Sequence, residues 1–212
     1  MASAIQVKVC GLTAKADATF AASQGAGYLG FIFHPKSPRY ISLEKFKAMR
    51  DGLPVGKKVA VVVEPTVDEL LKLKAEGFDL FQVHFRHDLP IEAIESWSKV
   101  VGATNLWLAP KLPPAVDVPA SWAPLASTVL LDTFDPTLFG GTGRTGDWAK
   151  FKRHAEKTPD ATWILSGGLN PANVADALRS SGARFVDVNS GVESSAGVKD
   201  HAKIAAFFRA LA

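Results

Sequence analysis

A single closed barrel of eight parallel strands, each returning through a crossover, is the architecture this sequence predicts; it belongs to the α/β class as a (β/α)8, or TIM, barrel. Three observations carry the prediction. Eight short segments rich in Val, Ile, Leu and Phe alternate with amphipathic ones, and their starts lie 22 to 34 residues apart, which suits βα units better than hairpins. Helix start and stop residues fall between them. No Gly-x-Gly-x-x-Gly follows a strand, so an open dinucleotide-binding sheet is disfavoured. One domain spanning residues 1–212 is expected, shorter than the roughly 250 residues of an ordinary barrel, so most loops must be lean.

The first strand, Ile5–Cys10, places Lys8 and Cys10 on one face and Val7 and Val9 on the other. The valines suit packing against helices, which turns Lys8 and Cys10 inward. Ala14–Gln24 follows as a helix, stopped by Gly25. Tyr28–Phe33 leads to a helix over Ser42–Arg50. After Lys58–Val63, Thr66 and Glu69 form a capping box that opens Thr66–Ala75, and Gly77 closes it. Leu80–His84 precedes a helix over Pro90–Lys99, and Asn105–Leu108 is the fifth strand. Its crossover is irregular: Pro110, Pro113, Pro114, Pro119 and Pro124 leave room for a short turn around Ser121–Leu125 at most. Thr128–Asp132 is followed by a helix over Asp147–Glu156. Thr162–Ser166 is followed by Pro171–Ser180, with Asn170 as cap, Pro171 in the first turn and Gly182 as the stop. Arg184–Asn189 and a helix over Asp200–Leu211 complete the count.

Composition narrows the function classes. The chain is 47% hydrophobic and 21% charged, a globular balance. A net charge of +3, scattered along the sequence, argues against a nucleic-acid partner. No apolar run is long enough for a membrane helix and the amino terminus has no signal-peptide core, so a cytoplasmic protein without a membrane partner is expected. One cysteine excludes an internal disulfide framework or a thiolate cluster, and no metal is expected.

In a barrel the active site lies at the carboxyl ends of the strands. Cys10 ends the first strand, and an ammonium from Lys8 beside it should raise its thiolate fraction. Asp132 ends the sixth strand with the parity of Leu130, so it aims into the mouth, where partial burial would suit a general acid. His84, with Gln82 on its face, ends the fourth strand as a rim or supporting group. Asp187 shares a face with Asn189 on the eighth strand and can pair with Lys8, satisfying two costly interior charges. Three glycine-bearing segments come late: Gly140-Gly141-Thr142-Gly143, Ser166-Gly167-Gly168-Leu169, and Ser190-Gly191-Val192-Glu193 beside Asn189. Such loops expose backbone N–H groups to an anion, and the connections after strands seven and eight are the usual phosphate site of this fold. That makes Gly141, Gly143, Gly167, Gly168, Asn189, Ser190 and Gly191 candidates for phosphate binding. Arg39, restrained by Pro35 and Pro38, can clamp a planar carboxylate through two parallel hydrogen bonds.

Together these segments resemble the phosphoribosylanthranilate isomerases, phosphate-binding barrels of tryptophan biosynthesis. The similarity runs in order across nearly the whole chain. It is carried by Lys8-Val9-Cys10-Gly11, Ser37-Pro38-Arg39-Tyr40, Gln82-Val83-His84, Leu131-Asp132-Thr133, Gly140-Gly141-Thr142-Gly143, Ser166-Gly167-Gly168-Leu169, Val186-Asp187-Val188, Ser190-Gly191-Val192-Glu193 and Gly197-Val198-Lys199-Asp200. The resemblance implies Cys10 as general base, Asp132 as general acid, Arg39 as receiver of the anthranilate carboxylate and the late loops as a phosphate cradle. It implies an aldose–ketose isomerase, an intramolecular oxidoreductase that needs no cofactor. The reaction would be the Amadori rearrangement of N-(5-phosphoribosyl)anthranilate to 1-(2-carboxyphenylamino)-1-deoxyribulose 5-phosphate. The partner would be that small phosphosugar, acted on by a monomer or homodimer.

Three positions depart from the family pattern: Phe85 stands where glycine is common, Asn189 where serine is usual, and Gly146 where an aromatic is frequent. A histidine-pathway aminoaldose isomerase would perform nearly the same chemistry but normally carries aspartate where this chain has Cys10. A noncatalytic phosphate-ligand sensor would keep the glycine loops without needing both Cys10 and Asp132.

Overall fold

Short parallel strands with apolar residues on both faces need partners along both edges, and a sheet closed on itself supplies them. The computed structural model, which describes residues 5–132 and 146–211, has that closure. The strands are β1 (Gln6–Val9), β2 (Tyr28–Ile32), β3 (Lys57–Val63), β4 (Leu80–Arg86), β5 (Leu106–Lys111), β6 (Thr128–Leu131), β7 (Thr162–Leu165) and β8 (Phe185–Val188). They pair in chain order, and β8 returns to β1 with Lys8 opposite Asp187.

Helices α1 (Lys15–Ser23), α2 (Leu43–Arg50), α3 (Val67–Ala75), α4 (Ile91–Val101), α5 (Trp148–Lys157), α6 (Val174–Ser181) and α7 (His201–Arg209) serve every crossover but the fifth. There the chain forms only a 3-10 turn at Ala120–Trp122, as the prolines require. A second such turn, Ser190–Val192, and a small hairpin of β9 (Glu193–Ser195) and β10 (Val198–Lys199) follow β8. The capping box of α3 is formed in both directions. Ser42, Asp147 and Asp200 cap α2, α5 and α7 through their side chains.

Two apolar layers result. Val7, Val9, Leu29, Phe31, Val83, Phe85 and Val186 point outward against the helices. Cys10, Ile32, Val59, Val61, Trp107, Ala109, Leu130, Ile164 and Phe185 fill the barrel interior. Tyr28, Trp107 and Phe185 pack ring against ring within it, with centroids 4.6 to 5.5 Å apart.

Several expected boundaries move. β4 and β5 run on to Arg86 and Lys111, with Phe85 opposite Pro110. A proline is tolerated there because pairing with β6 ends at Leu108, so its missing N–H costs no ladder bond on that side. Phe85 packs between Trp97 and Trp122, at centroid distances of 5.6 and 5.3 Å, on the face opposite His84. The departure at that position is therefore one of packing. Asn170 and Pro171 do not open the sixth helix. Asn170 instead accepts a bond from the Ala172 N–H at 2.8 Å, and α6 begins after Asn173. Both asparagines donate to the Gly168 carbonyl, at 3.2 and 3.0 Å, so these local side-chain bonds shape the loop after β7 rather than cap a helix. Among the described residues no helix is long and apolar enough to cross a membrane.

Candidate active site

The carboxyl ends of the strands enclose a cavity of about 660 Å3. Its floor begins on β1. Lys8 is fully buried, and its ammonium donates to Asp187 Oδ1 at 2.9 Å and lies close enough to Cys10 to interact with it electrostatically. Burial opposes the Lys8 charge, but Asp187 and Cys10 together outweigh it and hold its pKa above the ordinary lysine value. Gly30 makes room for this pair: a methyl group there would lie 2.9 Å from Lys8 Cε and 3.0 Å from Cys10 Sγ.

Burial pushes the Cys10 thiol pKa up, and Asp187 adds to the rise; the pull of Lys8 in the other direction is too weak to reverse it. The expected gain in thiolate is therefore overturned. At a position this buried, removing water from a thiolate costs more than one shared ammonium returns, because that ammonium already answers Asp187. The direction set by burial therefore favours the protonated thiol.

Asp132, just beyond β6, lines the same cavity as Cys10. Strands β7 and β8 lie between their two strands in the ring, so the groups enter from different sides. His84 lies on the wall and receives a 2.8 Å contact between its Nε2 and Gln82 Nε2. Burial, reinforced by Lys8 and His34, pushes the His84 pKa down to about 3. A neutral imidazole accepts through Nε2 in this arrangement, so the ring proton sits on Nδ1.

Gly167, Gly168, Asn189 and Ser190 line the cavity, and both glycines have left-handed φ, +98° and +63°. Gly191 does not line it. A Cβ there would meet the Leu169 carbonyl oxygen at 1.9 Å, so its glycine lets the loops after β7 and β8 touch. Gly141 and Gly143 lie outside the described residues.

Arg39 also lines the cavity, but it already has a partner. Its Nε donates to Glu193 Oε1 at 2.9 Å and its Nη2 to Oε2 at 2.8 Å. Lys199 Nζ reaches the same carboxylate at 2.9 Å, and Asn189 Oδ1 and its carbonyl at 2.8 and 3.1 Å. Burial opposes ionisation of Glu193, but Arg39 and Lys199 win and hold its pKa below the usual glutamate range. Sequence reasoning had quoted Glu193 and Lys199 without giving them work. Only the β9–β10 hairpin, which folds the chain back on itself, brings them together. Gly30 was missed as well; its signal is a glycine in mid-strand, which marks a close approach. Glu64 was a third omission. It lines the cavity with φ at 42° and accepts from the Arg86 N–H at 2.9 Å.

The N-(5'phosphoribosyl)anthranilate (PRA) isomerase family model matches residues 7–210. The chain belongs to this isomerase family. An N-(5'-phosphoribosyl)anthranilate isomerase of Aquifex aeolicus is 40% identical over 209 residues, covering 97% of each chain. The solved phosphoribosylanthranilate isomerase of Thermus thermophilus superposes with a TM-score of 0.82 at 30% identity, covering 98% of both chains. A further solved isomerase, in complex with reduced 1-(o-carboxyphenylamino)-1-deoxyribulose 5-phosphate, gives a TM-score of 0.75 at 30% identity over 98% of each chain. The family match encloses every described residue of the cavity wall, from β1 to the loop after β8.

Proposed function

We propose that this cavity isomerises N-(5-phosphoribosyl)anthranilate to 1-(2-carboxyphenylamino)-1-deoxyribulose 5-phosphate, the Amadori step of tryptophan biosynthesis, with Asp132 as general acid and Cys10 as general base. The observation that carries the assignment of roles is that the Asp132 carboxyl and the Cys10 thiol line a single cavity that also contains Arg39 and the loops after β7 and β8.

The Asp132 carboxyl gives a proton to the furanose ring oxygen. The C1′–O4′ bond breaks and the anilino nitrogen lone pair forms a C1′=N iminium. That cation acidifies the C2′ proton, which the Cys10 thiolate removes while the electron pair moves into C1′=C2′ and neutralises nitrogen. The enolamine becomes the ketone when one proton leaves O2′ and one reaches C1′, which returns the carboxyl and the thiolate. Lys8, buried beside the sulfur, steadies the thiolate whenever it forms.

The iminium appears only along the reaction path. A thiolate opposite that cation is stabilised more along the reaction path than beside the bound substrate, which favours the transition state. Arg39 receives the substrate carboxylate, and Gly167, Gly168, Asn189 and Ser190 receive the phosphate. Holding both anionic groups fixes C2′ and the ring oxygen against the base and the acid. Asp187 and His84 support: the first keeps Lys8 charged, the second presents a neutral ring to the sugar. A cytoplasmic location and a monomeric or homodimeric state go with this reading, and fractionation and sedimentation would test them.

The deciding assay presents the protein with freshly formed phosphoribosylanthranilate and, in parallel, with the histidine-pathway aminoaldose. The proposal expects the first to be consumed with loss of anthranilate-type fluorescence and the second to be turned over far more slowly. Equal or reversed preference would assign the site to the other aminoaldose.

A further inference from the structure

An arginine guanidinium has two faces suited to a carboxylate: a side edge made of Nε–H and one Nη2–H, and an end edge made of Nη1–H and the other Nη2–H. In this structure the side edge of Arg39 is taken. Glu193 accepts from Nε at 2.9 Å and from Nη2 at 2.8 Å, in a pair buried at the cavity wall. A substrate carboxylate therefore meets only the end edge. Which way that edge faces is set by where Glu193 stands.

Glu193 is itself held. Lys199, whose side chain is fully buried, donates to Glu193 Oε1 at 2.9 Å and also to Asn189 at two atoms. Lys203 Nζ donates to the Glu193 backbone carbonyl at 2.6 Å. The carboxylate thus stands between two cations, one from the loop after β2 and one from β10. Lys199 further ties this arrangement to Asn189 on the cavity wall. Two cations sharing one carboxylate leave a positive charge unanswered within the triad, a setting that suits an incoming anion.

We infer that Glu193 is a positioning residue: it occupies the side edge of Arg39 so that the end edge alone is aimed at the carboxylate of the aminoaldose. This rests on the reading of Arg39 as the carboxylate receiver, and it goes beyond it by naming what aims the guanidinium. Glu193 does not touch the reacting atoms.

The test compares two substrates on the same preparation: phosphoribosylanthranilate and its carboxylate-free counterpart formed from aniline and ribose 5-phosphate. The readout is the ratio of kcat/KM between them, from which any loss of folded protein divides out. Arg39→Ala sets the scale and must lower the ratio; if it does not, the carboxylate assignment itself has failed. If it does, Glu193→Gln is decisive. Positioning predicts a fall in the ratio of at least about tenfold, seen mainly in kcat for the carboxylated substrate. Glu193→Asp, which keeps the charge, should recover part of it. A merely structural role leaves the ratio unchanged, and a merely electrostatic one raises it, because a negative charge beside Arg39 has been removed. Either of those results overturns the inference.

Discussion

Cys10 and His84 face one cavity, and burial raises the pKa of the first and lowers that of the second, favouring the neutral form of each, yet the consequences differ. For Cys10, as the proposed base, the raised pKa disfavours the thiolate that would react. The rate constant kcat/KM should climb from pH 7 towards pH 9 as the thiolate fraction grows, and alkylation by iodoacetamide at pH 7 should be slower than for a free thiol. A flat rate profile with fast alkylation would mean a thiolate at rest. For His84 the effect is on stability. Its folded pKa of about 3 lies below the roughly 6.5 of an unfolded histidine, so between those values the unfolded chain binds the extra proton. The contribution is full above pH 6.5 and is lost as pH falls towards 3. Glu193, with its pKa also lowered, acts in the same direction further down. Urea midpoints of the wild type should drop between pH 6.5 and 5, and His84→Asn should flatten that slope; an unchanged slope would assign it to other groups. The inward pairing of Lys8 with Asp187 was legible from strand parity. The raised pKa of the thiol was not, because it depends on how deeply the sulfur is buried and on a second claim upon the ammonium.

At the scale of elements, the fifth crossover replaces a helix with a different device. The Lys150 ammonium, from the first turn of α5, donates to the carbonyls of Pro113, Pro114 and Val116 at 2.8, 3.3 and 2.7 Å. Proline-rich backbone has few N–H groups with which to satisfy its own carbonyls, and one buried lysine answers three of them. Lys150→Met should cost about 1 to 3 kcal/mol in urea unfolding, the cost of leaving buried acceptors unpaired; a loss below a few tenths would mean that water serves the turn equally well. On β2, Gly30→Ala would push a methyl group to within 3.0 Å of Cys10 Sγ and 2.9 Å of Lys8 Cε. Overpacking of that kind costs about 1 to 3 kcal/mol and should also lower kcat by displacing the base. Full activity in Gly30→Ala would show that the sulfur has slack. The sequence announced the irregular crossover through its prolines, and the capping box through Thr66 and Glu69. It misread Asn170 and Pro171 because a short loop of asparagines satisfies backbone in the same manner as a helix cap. The tie between Lys150 and its three carbonyls spans more than thirty residues and leaves no local pattern.

At the scale of the whole molecule, closure and chemistry meet at the β1–β8 seam. Lys8 and Asp187 sit opposite each other there, so the ion pair beneath the cavity also bridges the first and last strands of the ring. Lys8→Met should destabilise the barrel by about 3 to 5 kcal/mol because it strands a buried carboxylate. The double variant with Asp187→Leu should recover much of that loss, and a double variant no more stable than the single would deny the coupling. The ring order was legible from eight spaced apolar segments; the hairpin that locks Arg39 to Glu193 was not, since two strands of three and two residues carry no periodicity to read. On the proposed reading, the whole arrangement presents a thiol and a carboxyl to one sugar. The most direct measurement is therefore kcat on phosphoribosylanthranilate for Cys10→Ala and Asp132→Asn, each checked to be folded. Positioned acid–base groups predict a loss of at least about 100-fold in both. Turnover within a few-fold of the wild type in either variant would contradict the account.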